Sequence, residues 1–191
     1  MKNQIYFISD LHFGHLNSIK FDNRPFSSVE EMDEELIKRF NAVGAPDDTV
    51  YVLGDLFWHN RDGYAQKILK RLNKRIYLIK GNHDKWLHDT SAKKLLAGVA
   101  DYKEIVVSLK DGTPQPLVLS HYFIPFYNGA RYGAIHLHGH SHRSEEHKLE
   151  QEYINHLNSI GLKNKSYNVG CMYQNYFPWT IDEIIEKSQM G

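Results

Sequence analysis

Hydrophobic and polar positions along this chain follow two periods. Residues 5–9 form a short β-rich run, and the loop after it carries Asp10 and His12. Val29, Met32, Leu36, Phe40 and Val43 then recur at helical spacing, which predicts a helix with one buried stripe. Ser27 and Ser28 each have a glutamate three positions on, Glu30 and Glu31, the reciprocal pattern of a capping box, and Gly44, Pro46 and Asp47 stop the helix. Residues 49–53 read as a second strand delivering Gly54 and Asp55. Ala65, Ile68, Leu69 and Leu72 mark a second helix, and residues 76–79 a third strand delivering Gly81 to Asp84. Strand, helix, strand alternation of this kind predicts parallel pairing with right-handed crossovers.

The pattern changes after residue 100. Residues 102–109 and 116–120 look like strands joined around Asp111 and Gly112, and residues 134–138 and 166–169 add two more. Between them, Leu149, Tyr153, Leu157 and Ile160 keep helical spacing within a charged stretch. We therefore expect a helical insertion over 143–165, serving as a lid or partner surface or simply packed on the flank. Thr180 and Glu183 repeat the capping-box pattern before a final helix that ends near Lys187. The predicted class is α/β, a four-layer α-β-β-α sandwich of two mixed sheets with helices outside. At 191 residues and 41% hydrophobic content, one domain over 1–191 is the expectation.

Charge and cysteine usage narrow the setting. Twenty-three basic residues balance 23 acidic ones, which gives no general electrostatic attraction to long nucleic acids or anionic membranes. Cys171 is the single cysteine, so no intramolecular disulfide forms, and its expected role is that of a small buried apolar residue. The N-terminal residues lack the apolar run of a signal peptide, and no segment has the length of a membrane-spanning helix. The expected location is the cytoplasm, where the glycosylation-like triplet 164–166 is a chance match.

The candidate chemistry lies at the predicted strand ends. Carboxylate, imidazole and amide oxygen donors gather in Asp10-Leu11-His12, Gly54-Asp55, Gly81-Asn82-His83-Asp84, Ser120-His121 and Gly139-His140-Ser141-His142. Such a donor set suits divalent manganese, iron, zinc or nickel, and without nearby cysteine it points to an open catalytic site rather than a thiolate structural one. The order D-x-H, G-D, G-N-H-[DE], H, G-H-x-H, spanning residues 10 to 142, resembles the calcineurin-like metallophosphoesterases. Phe13-Gly14-His15-Leu16-Asn17, Arg24-Pro25-Phe26, Tyr167-Asn168-Val169-Gly170 and Pro178-Trp179 extend the likeness to the short bacterial and phage-encoded phosphoesterases.

The resemblance implies one metal on Asp10, His12 and His142 and a second on Asn82, His121 and His140, with Asp55 bridging them. It also implies a metal-bridging hydroxide as nucleophile and His83 over the substrate as general acid, the role imidazole fills near neutral pH. Asp84 would orient the His83 ring or support its loop. The implied activity is a metal-dependent phosphohydrolase with two divalent ions, manganese first among them. We expect a phosphodiesterase acting on a small nucleotide-like or other organic phosphate. Alternatives are a phosphomonoesterase or nuclease of the same fold and, in another class, a non-enzymatic metal-binding scaffold for protein interaction. Protein phosphatases of this fold are disfavoured, because Gly54-Asp55-Leu56-Phe57-Trp58-His59-Asn60 stands where they continue G-D-x-x-D-R-G.

An outer ring of residues follows from position. Arg24 is a candidate phosphate clamp, since guanidinium matches phosphate oxygens in pairs. His15 and Asn17 lie just beyond the first ligand loop and are candidate substrate contacts, with His59 a weaker one. Tyr122, Phe123, Phe126, Tyr127 and Tyr132 would stack a nucleobase or pack at the rim. His136 and His138 are expected to pack or support ligands, and His88, His147 and His156 to face solvent.

Overall fold

A computed structural model of the protein describes residues 3–188. Among these residues eight strands form two four-stranded sheets. The first runs β1 (Ile5–Ile8), β2 (Thr49–Val52), β3 (Arg75–Ile79), β4 (Gly98–Ala100), and the second β5 (Tyr102–Ser108), β6 (Pro114–Ser120), β7 (Ile135–His138), β8 (Ser166–Asn168). The helices are α1 (Leu16–Phe21), α2 (Val29–Ala42), α3 (Tyr64–Leu69), α4 (Thr90–Lys93), α5 (Glu145–Ser159) and α6 (Ile181–Ser188).

The two sheets differ from the expected mixed pair in one respect. All neighbours in the first are parallel, because helices α2, α3 and α4 carry the chain back between successive strands. Only the second is mixed: β5 and β6 form an antiparallel hairpin, while β6, β7 and β8 run parallel. The hairpin link is short enough to close locally, with Thr113 N donating to Asp111 Oδ1 at 2.8 Å. Helix α5 is the crossover that parallel β7 and β8 require, which accounts for the helical pattern over 143–165.

Side-chain alternation on β1 shows how the layers are sealed. Phe7 faces the inter-sheet core with Tyr51, Leu53, Ile79, Leu119 and Leu137, while Tyr6 and Ile8 face the helices beside Met32, Leu36 and Phe40. Removing a side chain the size of Phe7 wholly from water contributes about 1.5–3 kcal/mol. Ile181 and Ile184 of α6 close the inter-sheet core, and Val118, Tyr127 and Ala134 make a smaller cluster on the far side of the second sheet. The α2 cap straddles both serines: Ser28 Oγ accepts from Glu31 N at 3.1 Å, and the Glu31 carboxylate accepts from Ser27 N at 2.7 Å. Short β4, α1 and α4 escape a periodicity reading, since three to six residues do not complete a pattern.

Candidate metal centre

Ligand loops leave the C-terminal ends of β1, β2, β3, β6 and β7, where open α/β sheets gather their polar groups. Hydrogen bonds stitch those ends together, including Asp10 N to Gly54 O at 3.1 Å and Gly139 N to His121 O at 2.9 Å. Five candidate ligands sit in left-handed backbone: Asp10, His12, Asp55, His140 and His142, with φ of 56°, 53°, 53°, 72° and 45°. Non-glycine residues rarely accept this conformation, and their clustering at one site marks strain held by surrounding structure. Two motif glycines serve close approach. A Cβ on Gly54 would stand 2.2 Å from His121 Nδ1, and one on Gly139 would stand 1.9 Å from Ser9 Oγ.

The loops bring donor atoms to a common focus. Asp10, His12 and His142 form one group whose ligand atoms all lie within 4.8 Å of one another, and Asp10, Asp55 and His121 form a second. His12 Nε2 lies 3.1 Å from His142 Nε2, and His142 Nε2 lies 3.7 Å from Asp10 Oδ1. In the other group, His121 Nε2 stands 3.0 Å from Asn82 Oδ1 and 3.6 Å from Asp55 Oδ2. Donors bound at about 2.1 Å to one ion sit about 3.0 Å apart at right angles and about 3.4 Å apart in a tetrahedron. The observed spacings are close to those of donors that share a divalent cation. His140, a predicted ligand, belongs to neither group: its ring lies 5.1 Å from that of His121, its Nε2 is 3.9 Å from Glu146 Oε2, and its backbone N–H donates to Asp10 Oδ2 at 3.0 Å.

Groups behind the ligands fix which ring nitrogen faces inward. His121 Nδ1 donates to Leu53 O at 2.8 Å and His142 Nδ1 lies 2.9 Å from Asp22 Oδ2, so each Nε2 lone pair points into the site. Asp22 was not legible as a functional residue from its own neighbourhood in the chain. Its partner Arg24 corrects an expectation. All five guanidinium protons are taken: Nε and Nη2 bind Asp22 Oδ2, Nη1 binds Leu11 O and Met32 Sδ, and Nη2 binds Asp10 O. Arg24 is buried beneath the first ligand loop and has no donor left for a phosphate.

Asp84 supports the loops rather than the His83 ring. Its Oδ2 accepts from Asp55 N and Gly81 N, and its Oδ1 from Leu56 N and Trp86 Nε1, all at 2.8–3.0 Å. His83 itself is partly exposed, with Nε2 4.0 Å from Asp55 Oδ2 and its ring 4.6 Å from Trp58. Trp58 also stacks on buried His15 at 3.7 Å and 1°, and Phe21 of α1 meets the rings of His12, His15 and His142. Thus His15 borders the site through Trp58. Asn17 is exposed on α1, and among the described residues no hydrogen bond links it to the ligand loops.

Electrostatics follow from burial and these partners. Burial and then the Arg24 charge hold the His12 imidazole well below its ordinary range, which keeps it neutral. Burial likewise lowers His140, and it pulls His15 down to about 4. At His142 burial pulls down, but the Asp22 hydrogen bond with the Asp10 and Asp22 charges prevails and raises it. Burial, partly offset by His121 and reinforced by Asp10, raises Asp55, an excess of negative charge that a cation relieves.

Other sequence expectations resolve by position. His136 is buried with Nε2 2.7 Å from Ser120 Oγ, and His138 is buried on the same strand. His147, expected in solvent, is half-buried 3.3 Å from Glu150. Glu150 in turn accepts from Ser141 Oγ at 2.7 Å, tying α5 to the segment between His140 and His142. Glu146 is a further carboxylate the motifs did not reveal, 3.9 Å from His140 Nε2.

This strand-end cluster of oxygen and imidazole donors, on two packed sheets, has the chemistry to hold a divalent metal, and the family match makes the protein a metal-dependent phosphoesterase. The chain belongs to the calcineurin-like phosphoesterase family, whose description matches residues 4–187. It is 38% identical over 189 residues to an uncharacterized protein of Methanocaldococcus jannaschii, covering 98% of this chain and 93% of that one. The gene 66 protein of Mycobacterium phage L5 is 37% identical over 81 residues, which cover 41% of this chain and 39% of the phage protein. The crystal structure of a protein of unknown function from Aquifex aeolicus superposes with a TM-score of 0.66 at 26% identity, covering 96% of this chain and 98% of that one. Among the described residues no helix is long and apolar enough to cross a membrane.

Proposed function

We propose that the protein is a phosphodiesterase with two metal ions, acting on a small nucleotide-like or other organic phosphate. The observation that carries this reading is the position of Asp55. Its Oδ2 lies 3.7 Å from His12 Nε2 and 3.6 Å from His121 Nε2, between donors of the two groups that share Asp10, a position from which it would serve both ions. Asp10, His12 and His142 would hold one ion and Asn82, His121 and His140 the other, with manganese favoured and iron, zinc or nickel compatible with the donors. Bound there, the pair would supply an acidified water as nucleophile and positive charge for the phosphoryl oxygens.

The remaining steps belong to the chain's own residues. Asp22 and Leu53 O keep the Nε2 atoms of His142 and His121 aimed inward. His83 projects beside Asp55 with enough exposure to meet substrate, and its imidazole donates the proton that the departing alkoxide needs. Trp58 positions that ring from one side. Exposed rings stand at both ends of the constellation, Trp58 and Phe21 by His12, His83 and His142, and Tyr122 by His121 and His140. Two apolar ends suit a diester with two organic arms better than a monoester. We place the reaction in the cytoplasm, where the single buried Cys171 thiol stays reduced.

The test is His83→Ala. The variant and the wild type should each bind two manganese ions per chain by calorimetry, yet the variant should lose at least 100-fold in kcat on alkyl diesters. Loss on bis-p-nitrophenyl phosphate, whose leaving group needs little protonation, should be much smaller. Equal losses on both substrates would remove the general-acid role. A wide wild-type preference for monoesters would overturn the diesterase reading, and two bound metals without any turnover would favour the scaffold.

A further inference from the structure

A groove of about 720 Å³ opens beside the second ligand group. Tyr122, Phe123 and His140 form one wall, and Leu149 and Tyr153 of α5 form the other. The Tyr122 ring is 4.6 Å from that of His140 and 5.0 Å from that of His121, and its hydroxyl is 3.5 Å from Asn82 Oδ1. Whatever lies in the groove therefore adjoins His140, His121 and Asn82, where the proposed reaction would hold the phosphate. Phe126 packs edge-on against Tyr153 at 6.4 Å and backs the outer wall.

The carboxylates of the groove outnumber its imidazoles, those of His140 and His156. Glu146 and Glu152 lie at its edge with exposed carboxylates, and no lysine or arginine lines it among the described residues. The third glutamate, Glu150, is already engaged by Ser141 and His147. Such a surface repels a second phosphate, so it does not extend the site along a polynucleotide. It offers flat apolar faces and exposed carboxylate acceptors, Glu152 and, 3.9 Å from His140 Nε2, Glu146. Aromatic rings stack on any base, while carboxylates accept from the exocyclic amines of adenine, cytosine and guanine. The volume lies within the range of sites that enclose a small organic ligand.

Resting on the phosphodiesterase reading above, we propose that this groove binds the nucleobase arm of the substrate and selects bases that carry an exocyclic amine. Tyr122 and Tyr153 supply the stacking faces, and Glu146 and Glu152 supply the acceptors. Nucleosides alone test this without metal or turnover. Adenosine, cytidine, guanosine, uridine and choline are titrated into the metal-free protein by ligand-observed NMR, with the oligomeric state measured by sedimentation.

Adenosine, cytidine and guanosine should bind at least fivefold more tightly than uridine. Tyr153→Ala should weaken all of them at least fivefold, and Glu152→Gln should narrow the margin over uridine. Both side chains are exposed, and far-ultraviolet circular dichroism checks that each variant is folded. Preferential binding of choline would overturn the proposal in favour of a cationic head group. Absence of binding by any nucleoside would overturn it, as would a dimer that covers the groove and excludes adenosine. Hydrolysis of bis-p-nitrophenyl phosphate by the manganese-loaded wild type separates the two readings. Turnover without nucleoside binding defeats the groove assignment alone, and absent turnover defeats the phosphodiesterase.

Discussion

Replacing Asp84 by asparagine probes what holds the second and third ligand loops together. The carboxylate accepts four hydrogen bonds, two at each oxygen, from Asp55 N, Gly81 N, Leu56 N and Trp86 Nε1. Asparagine has nearly the same shape but only one acceptor oxygen. Whichever way the amide turns, its NH2 group faces two donors in a buried setting. Each donor left without a partner costs about 1–3 kcal/mol, so Asp84→Asn should destabilise the metal-free protein by about 2–6 kcal/mol. That is a large share of the ~5–15 kcal/mol total stability of a typical domain. Urea denaturation at pH 7.5, followed by circular dichroism, measures it as a lower midpoint at unchanged slope. Because Asp55 N is one of the four donors, manganese affinity by calorimetry should also fall, by about 10–100-fold. An unchanged midpoint with a fall in kcat alone would refute this reasoning and make Asp84 an orienter of His83.

Two further outcomes follow from buried charge. Arg24→Met strips the Asp22 carboxylate of its guanidinium and should cost about 3–5 kcal/mol in urea while weakening manganese binding; unchanged stability with a raised KM would restore Arg24 as a phosphate clamp. Burial, then the neighbouring His138, holds His136 well below its ordinary range, so below about pH 6.5 the unfolded chain takes a proton that the fold refuses. Its stabilising contribution is therefore present above that pH and lost as pH falls, at up to about 1.4 kcal/mol per pH unit. The stability difference between metal-free wild type and His136→Gln should shrink from pH 7.5 to 5.5, and a constant difference would show that His136 is protonated in the fold.

Legibility in the sequence tracked the range of the interaction concerned. The α2 stripe of Met32, Leu36 and Phe40 was readable because helical burial repeats within a few residues. Arg24 was misread because nothing nearby distinguishes an exposed guanidinium from a buried one. Its burial depends on Asp10 O and Leu11 O, 14 and 13 positions away, and on α2 closing over it. Asp22 meets His142 across 120 positions, so no spacing rule announces it. The pattern of Leu149 and Tyr153 announced a helix after His142, but the parallel pairing of β7 with β8 makes that helix a crossover, and the groove exists only because Tyr122, Phe123 and His140 lie opposite it.

The sequence by itself determined which side chains can gather at the strand ends, because an apolar run and its ligands follow one another within a few residues, with Gly54, Gly81 or Gly139 between them in three of the five motifs. It determined the chemical class of the site as well, since oxygen and imidazole donors without cysteine suit open divalent-metal sites. Tertiary structure decided which nitrogen of His121 and His142 faces the candidate site, that Arg24 braces a loop, and that an acidic aromatic groove adjoins His140. The physical reason is that strand, cap and turn preferences act between near neighbours. Burial, partner choice and the shape of a groove depend on segments that meet only when the two sheets pack.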